Sequence, residues 1–418
     1  MEDMQKELNL MGAKAVKAAR VLAVMDSENK RKLLYAMADA IMANADKIKT
    51  ANAIDMENGK ANGLTPAMLD RLFLNDERIK GMADGLKIVA DEDDPVGKVL
   101  SETTRPNGLV IRKVSVPMGV IGIIYESRPN VTADAAGICL KAGNTVLLRG
   151  GSEAFNSNKI IAEVMNAAGM ANGLVDGAVQ LLPWTDRQAV NMLVKLDKYV
   201  DLIIPRGGEG LIRAVQKEAT IPVLKHYKGV CHIFVDKTAD LSRALDIIEN
   251  AKVQRPSACN AVETILLHND IVAEFMPKLL ERLLAKDVTI HAEKALCGYS
   301  DKLIETCDDD FYREYLAKEL NIKQVADVAE AIEHINNYGS KHSDAILTED
   351  KINAEIFFAN VDSSTVYCNA STRFTDGGEF GMGAEIGIST DKLHARGPMG
   401  AKELTIYKYL VSGTGQIR

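Results

Sequence analysis

Apolar residues in the middle of the chain fall into short, nearly continuous runs that alternate with helical stretches. These runs are Val120 to Tyr125, Thr145 to Arg149, Val179 to Leu182, Val200 to Pro205 and His232 to Val235. Each is followed by Gly, Pro or Asp and then by a segment with the apolar spacing of one helix face. Strands of this kind predict a parallel sheet that is covered on both faces. The predicted fold class is therefore α/β.

Amphipathic patterns precede this region. Residues 1–60 have helical spacing, and Thr65 followed by Pro66 marks the start of a further helix, as its N-cap and first residue. Leu109 to Pro117 alternates between apolar and polar positions, as a hairpin strand with one solvated face does. We expect helices first and then this hairpin before the parallel sheet.

A second unit is predicted from about residue 236. We expect it to be rich in helices, among them Ile271 to Leu284 and Lys323 to Tyr338, with a strand at Ser363 to Tyr367. Glu403 to Leu410 alternates like an edge strand. The 418 residues are enough for two or three packed domains.

Composition excludes several classes of function. The net charge is −8 and no Lys/Arg-rich run occurs, so nucleic acid is not an expected partner. No apolar run is long enough to span a membrane, and the first ten residues lack the apolar core of a signal peptide. The six cysteines form no CxxC pair, which predicts reduced thiols and a cytoplasmic protein. The seven histidines are scattered, so no metal site is expected.

Cys259 is the candidate nucleophile. A helical pattern from Asp240 to Val253 is stopped at Arg255-Pro256, and a buried strand is predicted from Ala261 to Leu267. A thiol at such a corner can face a cleft, and Arg255 favours its nucleophilic thiolate form. The alternative is a small buried apolar side chain, the commonest role of a free cysteine.

Three loops at predicted strand ends place arginine beside glycine or proline, at residues 125–130, 149–153 and 205–210. Such loops can present backbone N–H groups and a cation to a phosphate. None is a GxGxxG motif, and a tight strand-to-helix turn is the alternative for each alone. Together they favour a dinucleotide site, whose candidate residues are Arg149, Gly150, Gly151, Glu153, Arg206, Gly207 and Gly208.

Two further segments carry candidate chemistry. Lys225, His226 and Lys228 precede an apolar strand and would suit an anionic substrate, although a solvated connector is equally consistent. In the glycine-rich stretch 373–387, Arg373 can bind a carboxylate or phosphate and Glu385 can bind sugar hydroxyls. Its apolar residues favour a packed loop over a flexible linker.

These features, in their order, resemble the aldehyde dehydrogenase superfamily. The resemblance lies in PMGV (117–120), GNTV (143–146) with Arg149, Cys259, and EIG (385–387). Five blocks resemble the branch of the superfamily that reduces glutamyl 5-phosphate: YESRPNVT (125–132), LLRGGSEA (147–154), IIPRGG (203–208), KHYKGVCHIFVD (225–236) and EIGISTDKLHARGPMG (385–400). The match extends from about Ala13 to the end of the chain.

The resemblance implies an aldehyde dehydrogenase-like α/β fold with three parts. A parallel-sheet cofactor domain would comprise residues 1–104 and 117–231, and an α/β catalytic domain residues 232–402. A small β arm, residues 105–116 and 403–418, would mediate homo-oligomerisation.

The resemblance also implies roles for single residues. Cys259 takes the nucleophile position, Arg149 a place near the cofactor ribose, and Glu385 that of the glutamate holding the nicotinamide ribose. Hydrolytic members carry a general-base glutamate where residues 226–230 have no carboxylate. The alignment near the oxyanion asparagine is ambiguous, with Arg128 at that place and Asn130 able to supply the amide.

The implied activity is NADPH-dependent reduction of L-glutamyl 5-phosphate to L-glutamate 5-semialdehyde and phosphate, a step of proline biosynthesis, through a Cys259 thioester. Arg149 could pair with the 2′-phosphate of NADP(H), whereas Glu153 would suit unmodified ribose hydroxyls. A transient contact with glutamate 5-kinase is a further expectation.

The alternatives to this activity are a CoA-acylating or hydrolytic aldehyde dehydrogenase, or a catalytically silent dinucleotide-binding protein. The basic residues expected to share the substrate's phosphate and α-carboxylate are Arg128, Lys225, His226, Lys228, Arg255, Arg373 and Arg396.

Overall fold

The computed structural model describes residues 2–418, with every side chain in that range except that of residue 67. Its α-helices are α1 (Glu2–Leu22), α2 (Ser27–Ala43), α3 (Ala45–Ala61), α4 (Pro66–Leu72), α5 (Asp76–Asp91), α6 (Asn130–Lys141), α7 (Phe155–Ala171), α8 (Arg187–Leu193), α9 (Glu209–Glu218), α10 (Leu241–Val253), α11 (Val272–Leu284), α12 (Val328–Tyr338) and α13 (Lys351–Asn360). Its strands are β1 (Val99–Thr104), β2 (Val110–Pro117), β3 (Val120–Tyr125), β4 (Thr145–Gly150), β5 (Val179–Leu181), β6 (Leu202–Arg206), β7 (Cys231–Val235), β8 (Val262–His268), β9 (Thr289–Ala292), β10 (Ile304–Glu305), β11 (Glu319–Val325), β12 (Ser343–Leu347), β13 (Thr365–Cys368), β14 (Ile388–Ser389), β15 (Gly397–Pro398) and β16 (Thr405–Ser412).

The chain packs as two compact units. The first runs to Lys225 and also contains Gly381–Gly387 and Met399–Arg418, and the second comprises His226–Phe380 and Ile388–Pro398. This division differs from the one expected from sequence, because the second unit begins at His226 and two late segments return to the first. Such returns are long-range contacts, which local sequence patterns do not encode.

The first unit contains a parallel sheet in the order β5-β4-β3-β6, which confirms four of the predicted strands. Tyr125 pairs with Gly150 on one side and with Arg206 on the other, so three strands end at the same level. Because the strands are parallel, the three arginine-containing loops that follow them meet at one edge of the sheet. That edge is where open α/β sheets bind ligands.

A separate three-stranded antiparallel sheet, β1-β2-β16, also belongs to the first unit. β16 pairs with β2 from Thr405 opposite Pro117 to Ser412 opposite Val110. The predicted hairpin strand and C-terminal edge strand are therefore confirmed and are neighbours. The helical prediction for residues 1–60 is confirmed by α1, α2 and α3, and Thr65 caps α4 by accepting a hydrogen bond from the Met68 N–H.

The second unit combines the helices α10 to α13 with a seven-stranded sheet in the order β10-β9-β11-β8-β7-β12-β13. The run His232 to Val235 lies in this sheet and not beside the first four strands. The predicted helix from Lys323 was also wrong at its start: Lys323 to Val325 end strand β11, and α12 begins at Val328 behind its N-cap Asp327. Short apolar runs fit a strand or a buried helix equally well by periodicity.

Helices of the second unit cover both faces of this sheet. One apolar cluster joins α10 and α11 to the sheet, and another joins α12 and α13 to its opposite face. Among the described residues, none of the helices combines the length and apolar character needed to cross a membrane.

Candidate active site

Cys259 lies in the turn that connects α10 to β8. Asp240 caps α10 by accepting hydrogen bonds from the N–H groups of Ser242 and Arg243, and the helix ends at Val253, just before Arg255-Pro256. The Cys259 side chain is half-buried, whereas every residue of the following strand is buried. The predicted helix–turn–strand placement of the thiol is confirmed. The strand fixes one side of the turn, and the thiol stays accessible.

The backbone of Cys259 is held by two neighbours, one just before β7 and one at the first residue of β7. Gly229 lies so close that a Cβ built on it would be 2.5 Å from the carbonyl carbon of Cys259, and closer still to its oxygen. The Cys231 thiol donates a hydrogen bond of 3.3 Å to the same oxygen. Burial raises the pKa of Cys231 well above its usual value, so this group remains a protonated donor.

Two histidines accompany the thiol. The Cys259 Sγ atom and a ring nitrogen from each of His226 and His342 lie within 4.8 Å of one another. The Nδ1 atom of His226 is 2.8 Å from the Ile388 carbonyl oxygen, which makes it the protonated nitrogen and leaves Nε2 as the acceptor. The buried His342 ring has its Nδ1 atom 2.9 Å from Ser343 Oγ.

The sheet order explains why these three residues meet. β8, β7 and β12 are parallel neighbours, and Cys259, His226 and His342 each precede the amino end of one of them. From the sequence, His226 was predicted only as a basic residue and His342 was not predicted at all. The sequence pattern showed no cluster of cysteine and histidine, because this cluster forms only when the strands pair.

Two predicted cations lie at the nucleophile. Arg373 donates from Nε to Gln254 Oε1 at 3.0 Å and also binds the Asn260 side-chain oxygen. Burial, and then the neighbouring Arg255, lower the pKa of Arg373, while attraction to the Cys259 thiolate opposes both. Arg255 itself is exposed. The structure therefore brings Arg255, Arg373 and Cys259 together, which places two guanidinium groups at the nucleophile.

The remaining predicted substrate ligands have other contacts. Arg396 binds Asp362, and hydrogen bonds from Lys392, Lys341 and Arg396 hold the pKa of that carboxyl well below its usual range. Lys228 donates to the Tyr312 carbonyl oxygen at 2.5 Å. Lys225 and the half-buried Arg128 belong to the first unit.

At the sheet edge of the first unit, a carboxylate occupies the start of α9. Gly208 is the N-cap of this helix, and its N–H donates to Glu126 Oε2 at 3.1 Å. A Cβ on Gly207 would lie 2.9 Å from Glu126 Cδ, so glycine lets this carboxylate approach closely. The helix start therefore already binds an anion, as its dipole and unpaired donors favour. The sequence analysis did not single out Glu126.

Glu153 lies in the neighbouring loop, after β4, and joins it by hydrogen bonds to Ser127 in the loop after β3. Its Oε1 atom accepts hydrogen bonds from Ser127, at 2.5 Å from the N–H and 2.9 Å from the hydroxyl. A Cβ on Gly151 would lie 2.6 Å from Glu153 Cδ, and one on Gly150 would lie 3.2 Å from the Tyr125 ring. Both glycines therefore allow the loop to pack closely.

The guanidinium group of Arg149 faces backbone carbonyl groups. It donates to the carbonyl oxygens of Thr185 and Asp186, the latter at 3.3 Å, and burial lowers its pKa. The side chain thus links the end of β4 to the loop just before α8. Its position fits a group that shapes the loop around residues 185–186.

The third loop, residues 205–210, packs against the segment 381–387, which contains Glu385. A Cβ on Gly387 would lie 2.7 Å from Arg206 Nη1, so residues 381–387 pack against the end of β6. The Nε atom of Arg206 is buried and has no hydrogen-bond partner among residues 2–418. Asn130 donates to Asp134 at 2.8 Å, and burial raises the pKa of Asp134 to about 6, with Arg206 opposing. Two predicted cofactor-binding segments are therefore brought together.

The segment 381–387 also packs against the Glu92 side chain. A Cβ on Gly383 would lie 3.2 Å from Glu92 Cδ, and the Ala384 N–H is bonded to the carboxylate. Burial raises the pKa of Glu92 to about 7, while Lys141 and the Ala384 N–H act against the shift. Glu92 therefore carries a proton in the folded protein at a pH where it is ionised in the unfolded chain.

We expect Glu92→Gln to remove a pH dependence of stability. Because the folded-state pKa is raised from 4.5 to about 7, this carboxyl stabilises the fold below pH 4.5, and that contribution is lost as the pH rises through 7. Above pH 7 the variant should be more stable by about 1–2 kcal/mol, a value reduced for partial solvent exposure. Urea unfolding from pH 5 to 8 measures the difference. The exposed Glu57→Gln is the control, and parallel curves for Glu92→Gln and the unmodified protein would contradict the prediction.

Comparison with known proteins identifies the relatives of this chain. Residues 2–295 match the model of the aldehyde dehydrogenase family. A gamma-glutamyl phosphate reductase from Caldanaerobacter subterraneus subsp. tengcongensis is 52% identical over 412 residues, which covers 99% of this chain and 100% of the relative.

Solved structures give the same relationship. The crystal structure of a gamma-glutamyl phosphate reductase from Thermotoga maritima superposes with a TM-score of 0.95 at 45% identity, over 98% of this chain and 99% of the other. An acetylating aldehyde dehydrogenase from Geobacillus thermoglucosidasius has a TM-score of 0.70 at 17% identity, over 100% and 98% of the two chains, and shares the fold. The predicted fold class is confirmed.

Proposed function

The chain belongs to the aldehyde dehydrogenase family and, within it, to the gamma-glutamyl phosphate reductases, and we propose that it reduces L-glutamyl 5-phosphate to L-glutamate 5-semialdehyde and phosphate. One observation carries the proposal beyond the relationship itself. The accessible Cys259 thiol lies beside Arg255, Arg373 and His226, and residues 226–230, where hydrolytic members carry a general-base glutamate, contain no carboxylate. A cationic nucleophile site suits an acyl phosphate.

The reaction begins at Cys259. Its thiolate attacks the acyl carbon, the bond from that carbon to the phosphate oxygen breaks, and inorganic phosphate leaves as the thioester forms. Arg373 and Arg255 neutralise the phosphate, and the Nε2 atom of His226 accepts the thiol proton before the attack. The Cys259 N–H stabilises the oxyanion, with Asn130 proposed as the side-chain donor.

Phosphate is favoured over water as the partner of the thioester. Water needs a general base, whereas phosphate is an anion that is already nucleophilic at neutral pH. The two guanidinium groups attract phosphate and leave water unaffected. The chemistry of the site therefore opposes hydrolysis. Whether coenzyme A accepts the acyl group from the thioester is decided by the assay with coenzyme A.

Enzymes of this family use a nicotinamide dinucleotide, and the first unit has groups that fit one. The buried Nε atom of Arg206, which has no hydrogen-bond partner among the described residues, can donate to a diphosphate. The Gly208 N–H can do so when the cofactor replaces Glu126 as its acceptor. We propose that Arg206, Gly207, Gly208 and Glu385 hold the cofactor, with Arg149, Gly150, Gly151 and Glu153 shaping its ribose end. When bound, it supplies the hydride that reduces the thioester.

The proposed cofactor is NADP(H). Glu153, which would repel a 2′-phosphate, has an oxygen engaged by two hydrogen bonds from Ser127, which reduces that repulsion. Arg149 is engaged with carbonyl groups, so its pairing with the 2′-phosphate requires it to turn. The preference for NADP(H) therefore rests mainly on the relationship to the family.

We also propose that the chain forms a homo-oligomer and that it is located in the cytoplasm. Strand β16 exposes Ile406, Leu410 and Val411, an apolar edge that supports homo-oligomerisation through the β arm. All six cysteines are free, which supports a reducing cytoplasm. A transient contact with glutamate 5-kinase would protect the acyl phosphate from water.

The deciding experiment runs the reaction backwards. We expect NADP⁺ reduction with glutamate 5-semialdehyde only when inorganic phosphate is present, and slower reduction of NAD⁺. Equal rates without phosphate would identify a hydrolytic dehydrogenase. Rates that depend on coenzyme A would identify a CoA-acylating one. A folded, cofactor-binding protein that is inactive in all three assays would be a silent member of the family.

We expect Arg373→Gln to raise the KM for phosphate in this assay. Loss of a charge-assisted hydrogen bond costs about 1.5–3 kcal/mol, which corresponds to roughly a 10- to 100-fold decrease in kcat/KM. The KM for NADP⁺ should not change. Arg243→Gln is the matched control, because Arg243 is an exposed arginine of the same unit paired with Asp240 and Glu349. An Arg373 variant with the phosphate KM of the unmodified enzyme would refute the assignment.

A further inference from the structure

The cluster of His226, Cys259 and His342 has the donor set of a zinc site. Its three ligand atoms lie within 4.8 Å of one another. Tetrahedral zinc with one thiolate and two imidazoles has bonds of about 2.3 and 2.0–2.1 Å, which places the donors roughly 3.3–3.7 Å apart. The three ligand atoms must therefore approach one another by up to about 1.5 Å when the metal binds.

The surroundings of the two imidazoles are those of metal ligands. His226 donates from Nδ1 to the Ile388 carbonyl oxygen at 2.8 Å, a contact that fixes the ring and leaves Nε2 for a metal. His342 is fully buried, with Nδ1 2.9 Å from Ser343 Oγ. The Ser343 hydroxyl lies in turn 2.6 Å from Thr375 Oγ1. Both rings are therefore oriented before any metal binds.

Of the two cysteines near these rings, Cys259 is the metal ligand. Cys231 is fully buried, and its thiol donates a hydrogen bond to the Cys259 carbonyl oxygen. Cys259 is half-buried, so an ion from solvent can reach its sulfur atom. Arg373 and Arg255 lie nearby and repel a dication, which makes binding weaker than in a structural zinc site.

We propose that this cluster binds one Zn²⁺ per chain, reversibly, through Cys259, His226 and His342, with water or an anion as the fourth ligand. Binding displaces the thiol proton to solvent and forms a sulfur–zinc bond without oxidation or reduction. A sulfur atom bound to zinc cannot attack an acyl carbon. Metal binding itself does not depend on the proposed function. The inhibition of the reductase by bound zinc rests on the proposed function.

Cobalt titration tests the site without turnover. We expect Co²⁺ to bind the purified chain at one equivalent, with a thiolate-to-cobalt charge-transfer band and the visible bands of tetrahedral cobalt. Cys259→Ala should lose the charge-transfer band, and His226→Gln should weaken binding by about 100-fold or more. Cys307→Ser, which changes an exposed cysteine outside the cluster, should titrate like the unmodified chain.

Zinc inhibition completes the test. We expect Zn²⁺ to slow alkylation of Cys259 by iodoacetamide and to inhibit the enzyme, and EDTA to reverse both effects. A charge-transfer band that persists in Cys259→Ala, or no band in folded and active enzyme, would overturn the zinc site. A cobalt-binding chain without reductase activity would support the site and remove the proposed function, so the two failures are distinguishable.

Discussion

Replacing Cys259 with alanine should abolish the reductase activity, with a decrease in kcat/KM of at least about 10³-fold. The thiolate forms the only covalent bond between enzyme and substrate in the proposed mechanism, and the second thiol nearby, Cys231, is not placed to replace it. Cys231 is buried, its pKa is raised, and it donates to a backbone carbonyl. The assay is phosphate-dependent NADP⁺ reduction with glutamate 5-semialdehyde.

The same variant should bind NADP⁺ with unchanged affinity, because the proposed cofactor residues belong to the first unit and Cys259 to the second. Fluorescence titration measures this affinity. Cys307→Ser is the matched control and should remain fully active, since this cysteine is exposed and lies outside the cluster. Substantial activity in Cys259→Ala would show that the chemistry does not pass through this thioester.

Replacing Gly229 with alanine should damage both stability and activity. The added Cβ would lie 2.5 Å from the Cys259 carbonyl carbon and 2.9 Å from its Cα atom, and these backbone atoms cannot rotate away. Overpacking of this kind costs about 1–3 kcal/mol. Relief of the overlap must move the nucleophile, and a displacement of about 1 Å lowers the rate by roughly 10²-fold.

Chemical denaturation and kcat together measure the effect of Gly229→Ala. Gly298→Ala is the control, because Gly298 lies in the same unit and a Cβ there would meet no atom within 4 Å. If both variants unfold at the same denaturant concentration and have equal kcat, then Gly229 does not hold the Cys259 backbone. A stable but slow Gly229 variant would separate positioning of the nucleophile from support of the fold.

Local signals predicted the elements that carry the site. The helix before Cys259 was predicted from its apolar spacing and from Pro256, and the strand after it from a buried run. The strands leading to Arg149 and Arg206 were predicted in the same way. Each signal acts over a few residues, because helix capping, proline geometry and apolar periodicity are properties of neighbouring positions. The relationship to aldehyde dehydrogenases was likewise visible in the order of short blocks.

The partners of these residues were not predictable from local signals. Arg373 was identified as a cation, but its contact with Asn260 depends on how a distant loop packs. Arg396 was expected to bind substrate, whereas its hydrogen bonds go to Asp362. The helix predicted from Lys323 begins only at Val328, because a short apolar run gives no evidence of the sheet it joins.

The sequence by itself therefore determined the fold class, the membership of the family and the position of Cys259 between a helix and a strand. Only the tertiary structure placed His226 and His342 beside that thiol and Gly229 against its carbonyl group. The physical reason is the pairing of β8, β7 and β12, which brings together the amino ends of strands that are far apart in the chain. Strand order is decided by the packing of whole apolar faces, and no short segment contains that information.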